Sequence, residues 1–150
     1  MAEAVILIGL QGSGKTTYFE KYFAATHSHI SRDVQRTADL EATLLRDCLQ
    51  SGRSFVVDNT NATRRVRAPY IEQARAAGFQ VRSYFFDTPV RTAIGRNNHR
   101  IDKKPIPVPA ILRAAKTLER PTRDEGFDEI QIVKVESDPN AGNRGQARTD

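Results

Sequence analysis

Only one cysteine, Cys48, occurs in the 150 residues, which excludes an internal disulfide and a cysteine-based metal site. It falls on the apolar face of a helical pattern, so its thiol reads as a packed core group rather than a nucleophile. No stretch approaches the ~20 apolar residues needed to cross a bilayer. The N-terminus runs directly into an apolar strand pattern, without the charged region, apolar core and small-residue cleavage site of a secretion signal, so a cytoplasmic setting is expected. His27, His29 and His99 show no metal-ligand spacing with acids or cysteines, and a structural role is expected for each. No internal repeat is present.

The length is that of one ordinary domain, enough for a real core and too short for two. Hydrophobic residues make up 39% and charged residues 27%, a globular composition. The net charge of +5 points weakly to a polyanionic partner, because a nucleotide-binding enzyme also wants positive charge and scattered basic side chains are usually only solvated.

The chain is organised around Gly9-Leu10-Gln11-Gly12-Ser13-Gly14-Lys15-Thr16. An apolar run, Ala4 to Ile8, precedes it, and residues from Thr17 to Phe23 follow at helical spacing. Strand, glycine loop, Lys-Thr and helix together form a phosphate-binding P-loop. Glycines let the backbone turn tightly and bring N–H groups against phosphate oxygens, while the helix N-terminus points its positive end at them. Gly12, Ser13, Gly14, Lys15, Thr16 and Thr17 are the expected nucleotide-binding set, with Lys15 on the β- and γ-phosphates and Thr16 on Mg²⁺.

A short strand ending at Ile30 follows, then a helix capped by Thr37, with Leu40, Leu44, Leu45, Cys48 and Leu49 on one face and Gly52 as its stop. Ser54 to Asp58 reads as a buried strand closing on an acid, and Asp58 is the expected carboxylate for the Mg²⁺ waters. Residues 63 to 77 read as a helix with Val66, Tyr70, Ile71 and Ala74 inward and Gly78 as its stop. A fourth strand spans Phe79 to Phe86. Thr88 as cap and Pro89 at the first helical position open a helix ending near Asn98. The strongly basic stretch Arg96 to Lys104 and three prolines lead to a helix stopped by Pro121, and a last strand closes near Val135. Residues 1–136 are thus expected to form the domain and 137–150 a disordered tail. The pattern predicts an α/β P-loop fold: a mainly parallel sheet of about five strands sandwiched by helices, with a basic lid and the nucleotide at the carboxyl ends of the strands.

A P-loop alone does not separate a kinase from a GTPase, a motor or a nucleotide switch. Arg32-Asp33 with Arg36, then Asp58-Asn59-Thr60-Asn61, then Arg96-Asn97-Asn98-His99-Arg100 before a proline-rich turn resemble the kinase domain of polynucleotide 5′-kinases. The likeness runs from Val5 to Val135. It implies an ATP- and Mg²⁺-dependent transfer of the γ-phosphate to the 5′-hydroxyl of an RNA or DNA end. By position, Asp33 would be the general base, a role that asks for a carboxylate within hydrogen-bond reach of the acceptor hydroxyl. Arg36 would hold the phosphate 3′ of the terminal nucleoside, and Thr60 and Asn61 would line the acceptor site. Arg100 would neutralise charge on the transferred phosphate, with Arg96 supporting it or facing the nucleobase.

The alternatives are a small-molecule P-loop kinase acting on a sugar acid, nucleoside or antibiotic, and a nucleotide-binding switch. Many relatives carry a phosphatase or ligase module, for which 150 residues leave no room. Arg64, Arg65 and Arg67 cluster after the Asn61 loop, where simple solvation is expected over tracking a nucleic-acid backbone.

Overall fold

The computed structural model describes residues 1–99 and 105–135, together with the backbone of 147–149. Among the described residues six strands form one sheet: β1 (Glu3–Ile8), β2 (Ser28–Ile30), β3 (Phe55–Asp58), β4 (Gln80–Asp87), β5 (Glu129–Val135) and β6 (Ala147–Thr149). Their spatial order is β2-β3-β1-β4-β5-β6. The first five are parallel, and β6 runs antiparallel on β5. The parallel α/β sheet is the one expected. Most of the 137–150 segment expected to be a tail lies outside the described residues; Ala147–Thr149 pair with β5.

Among the described residues the α-helices are α1 (Lys15–Tyr22), α2 (Arg32–Gln35), α3 (Ala38–Ser51), α4 (Arg64–Ala76), α5 (Val90–Asn98) and α6 (Val108–Thr117). Side chains of β1 alternate between two apolar layers, as strand geometry requires. Ala4, Ile6 and Ile8 pack with Leu45 and Cys48 of α3 and Ile71 and Ala74 of α4. Val5 and Leu7 pack on the other face with Phe19 of α1 and Phe23. Because β1 is central, with β3 on one side and β4 on the other, the loop leaving it opens at the point where the order of the chain reverses, the usual ligand crevice of such sheets.

Three local expectations change. Pro89, not Thr88, is the residue flanking α5, and Thr88 is buried with its hydroxyl unpartnered among the described residues. Leu40 and Val66 are half-exposed at 53% and 49%. Their places on the core-facing stripes are taken by Glu41 and Arg67, both buried. The guanidinium of Arg67 forks onto Glu125 at 2.8 and 3.0 Å and donates to the carbonyls of Asn61 and Glu119. Arg64 likewise pairs with Asp124 at 2.9 Å. Of the three arginines, only Arg65 keeps the exposed, solvated character expected of all of them.

Removing one partner from a buried ion pair leaves the other charge uncompensated, at a cost of about 3–5 kcal/mol. Arg67→Met is therefore expected to lower unfolding free energy by that amount in urea titration, since the Glu125 side chain is itself only 4% exposed. A loss under about 1 kcal/mol, the level of a surface pair, would show the site to be well hydrated.

Candidate active site

The loop from Gly9 to Gly14 joins β1 to α1 and needs glycine for two different reasons. Gly12 has φ +81° and faces Ala93 so closely that a Cβ would lie 2.4 Å from its carbonyl oxygen. Gly14, at φ +94°, is the residue flanking α1, and a Cβ there would come within 3.2 Å of Arg96 Nη1. These contacts place α5 directly against the loop, with Ala93 and Arg96 one turn apart on the facing side. Arg96 therefore reaches the P-loop, whereas Arg100 lies outside the described residues.

Lys15 lies buried beneath the loop and donates to the carbonyls of Gly9 and Leu10 at 2.7 and 2.9 Å. Burial pulls its pKa from 10.5 down to about 8, against the opposing pull of the Asp58 and Asp33 carboxylates. Thr16, one residue on, donates its hydroxyl proton to Asp58 Oδ2 at 2.8 Å. The same oxygen is 2.7 Å from His29 Nε2. Burial opposes ionisation of Asp58, but the hydrogen bonds from His29 and Thr16 and the nearby Lys15 charge together hold its carboxyl below the ordinary value. Hydroxyl and ionised carboxylate side by side are the hard-oxygen donors that suit Mg²⁺. Among the described residues no cluster of three or more His, Cys, Asp or Glu could hold a metal ion.

Asp33 stands in the first turn of α2, a single turn pinned by its surroundings. The Arg32 amide donates to Asn59 Oδ1 at 3.0 Å, its Nε bonds to the Glu41 carboxylate, and Asn59 Nδ2 donates to the other Glu41 oxygen at 2.8 Å. Gln35 bridges back, donating to the His29 carbonyl and accepting from the Ser31 amide. This frame puts the Asp33 carboxylate within electrostatic reach of the Lys15 ammonium. Arg36 closes the turn at φ +78°, a left-handed conformation that a non-glycine residue adopts only at some cost. Its exposed guanidinium has no hydrogen-bond partner among the described residues.

Thr60 and Asn61 have more structural employment than expected. The Thr60 carbonyl accepts from the Gly9 amide at 3.1 Å, stitching the loop after β3 to the P-loop. Asn61 is buried, with φ +48°, and its Nδ2 donates to the carbonyls of Leu7, Val57 and Asn59. Asn61 thus ties the ends of β1 and β3 together rather than presenting its amide nitrogen to an acceptor. Sequence reasoning missed Asn59, Glu41 and His29. Glu41 was findable, because it lies at i, i+4, i+7 with Leu45 and Cys48, an acid on a core stripe beside the Asp33 turn.

Residues 26–121 match the family model described as an AAA domain. The chain belongs to this family. The matched span takes in Asp33, Arg36, Asp58 and Arg96 and starts after the P-loop. A protein of Acanthamoeba polyphaga mimivirus described as a bifunctional polynucleotide phosphatase/kinase is 30% identical over 87% of the chain and 33% of its own length. The bifunctional polynucleotide phosphatase/kinase of Schizosaccharomyces pombe is 26% identical over 87% of the chain and 33% of its length. These relatives bear out the likeness to polynucleotide kinases read from the motifs, and the chain spans about one third of their length. A solved sugar kinase from Janibacter sp. HTCC2649, 20% identical, superposes with a TM-score of 0.68 over 93% of the chain and 89% of that protein. The fold of the AAA-domain chain is therefore that of the P-loop kinases.

The pKa of Lys15 gives the site a measurable signature. Phosphate charge brought against a depressed ammonium raises its proton affinity again. ADP binding between about pH 8 and 10.5 is expected to take up protons, because there the free protein has released the Lys15 proton that the complex regains. Calorimetry in buffers of different ionisation enthalpy measures the uptake, and the phosphates, with a pKa near ~6, do not titrate in that range. Binding at pH 9 without proton uptake would refute a buried, depressed Lys15.

Proposed function

We propose that this chain is an ATP-dependent kinase that transfers the γ-phosphate to the 5′-hydroxyl of a nucleic-acid end. The observation that carries the reading is the position of Asp33, an acid held by a rigid polar frame within electrostatic reach of Lys15 on the P-loop. Lys15 and the loop amides bind the phosphates, and Arg96 approaches the same loop from α5. Mg²⁺ held by Thr16 and Asp58 would neutralise phosphate charge and leave the phosphorus open to attack. Asp33 accepts the proton of the acceptor hydroxyl as the new oxygen–phosphorus bond forms and the bond to the bridging β–γ oxygen breaks. The role of Arg100 at the transferred phosphate, implied by the resemblance, belongs to the same proposal, as does a cytoplasmic setting in the healing of broken ends.

Arg36 is assigned the phosphate 3′ of the acceptor nucleoside. A charge-assisted bond of about 2 kcal/mol converts to roughly thirtyfold in binding. Arg36→Ala is expected to raise the KM for a 3′-phosphorylated nucleoside by that factor and to leave the KM for the same nucleoside without a phosphate unchanged. Equal losses on both acceptors would remove Arg36 from that role. The decisive assay is label transfer from γ-labelled ATP to 5′-hydroxyl oligonucleotides, run beside sugar acids, nucleosides and aminoglycosides. The second reading is a kinase of a small acceptor, favoured by the fold shared with a sugar kinase. Transfer to a small acceptor with oligonucleotides inert would establish it in place of the first.

A further inference from the structure

The buried contact between His29 and Asp58 has no part in the reaction as described so far. Helix α1 supplies two residues to it, Thr16 and Phe19, three positions apart and therefore on one side of the helix. Thr16 donates to Asp58 Oδ2 directly. Phe19 lies flat on the His29 imidazole, with ring centroids 3.8 Å apart and planes 13° from parallel. His29, near the end of β2, then donates from Nε2 to the same Oδ2, beside β3, with which β2 pairs from Ser28 to Ile30. The Asp58 side chain is only 3% exposed, and both of these donors converge on its Oδ2.

We propose that His29 is a positioning residue for the metal-serving carboxylate. With two donors on Oδ2, the carboxylate cannot rotate freely, and Oδ1, which meets no hydrogen-bond partner among the described residues, is the oxygen left to the magnesium and its waters. The P-loop helix thus meets the Asp58 carboxylate through Thr16 and its histidine partner through Phe19. Partners of this kind, one bond removed from a metal, are worth about 10–100-fold in metal affinity. This rests on the proposed function only in giving Thr16 and Asp58 to the metal; the acceptor plays no part in it.

The contact could instead serve only to satisfy a buried carboxylate, and the test separates the two. ADP affinity is measured by calorimetry with Mg²⁺ and with EDTA for the full chain and for His29→Phe, His29→Gln and Asp58→Asn, each checked for folding by circular dichroism. Phenylalanine keeps the stack and loses the donor; glutamine keeps a donor and loses the stack. The expected result is a Mg²⁺-dependent gain in ADP affinity that falls about tenfold or more in His29→Phe, is largely restored in His29→Gln, and is lost in Asp58→Asn, with affinities in EDTA alike. An undiminished gain in His29→Phe overturns the proposal, and so does an equal loss in His29→Gln. An undiminished gain in Asp58→Asn overturns it by taking the carboxylate out of the metal site. Because ADP and Mg²⁺ are the only ligands, failure to phosphorylate a 5′-hydroxyl end is a separate result and leaves this one standing.

Discussion

Replacing Asp33 with asparagine is expected to slow transfer from ATP to a 5′-hydroxyl oligonucleotide by roughly 10²–10⁴-fold, the range a positioned general base supplies, while ADP still binds. Asparagine keeps the size and much of the hydrogen bonding of aspartate and loses its charge and its ability to accept a proton. Contacts that pin the turn come from the Arg32 amide and guanidinium, Asn59, Glu41 and Gln35. The substitution leaves those contacts in place, and circular dichroism checks that the variant is folded. The competing account of Asp33 is electrostatic, an acid favoured in the first turn of a helix, worth about 0.3–1 kcal/mol of stability and nothing in turnover. Initial rates with γ-labelled ATP, measured beside ADP affinity, decide between them. Full activity in Asp33→Asn would leave a P-loop protein without the base its site was proposed to contain.

The parts of this molecule legible in its sequence are those where one local pattern has one physical cause. The eight-residue loop demands backbone amides at a helix start, and Gly12 and Gly14 take the positive φ that only glycine adopts freely. Thr37 caps α3 through its side chain. The α/β alternation fixes the layer order, because apolar strands of this kind must be covered on both faces. What escaped was polar and non-local. Glu41 and Arg67 sit on core stripes where periodicity alone favours an apolar residue, and each is tolerated because its partners come from elsewhere, Arg32 and Asn59 for the first and Glu125 for the second. Asn61 looks in sequence like a loop residue free to meet a substrate, and its burial becomes visible only when β1 and β3 are placed side by side. The two buried charges share a signal that sequence does carry, a charge at i, i+4, i+7 with core positions, which marks a buried pair whose partner remains to be found.

Lys15→Met separates what this site contributes to function from what it costs in stability. Lys15 is a preorganised donor at the phosphates, and losing one such donor costs about 10²–10³ in kcat, so turnover should fall by that factor and ADP affinity with it. Stability should move the other way. A pKa brought from 10.5 to about 8 by burial means that the folded chain holds the Lys15 charge less favourably than water does, and methionine fills similar space without a charge. Unfolded lysine keeps its proton up to about pH 10.5 while the folded one releases it above about pH 8. Between those values the unfolded chain binds more protons, so the stability of the unsubstituted protein rises with pH. The melting temperature of Lys15→Met should therefore exceed that of the unsubstituted protein at pH 7, and the difference should shrink as pH rises from 8 toward 10. Every other titrating group is common to both proteins, so the difference isolates Lys15. A variant that melts earlier at pH 7, or a difference that stays constant across that range, would mean that the two carbonyl hydrogen bonds of the ammonium outweigh its desolvation, and the proton uptake expected on nucleotide binding would then fail with it.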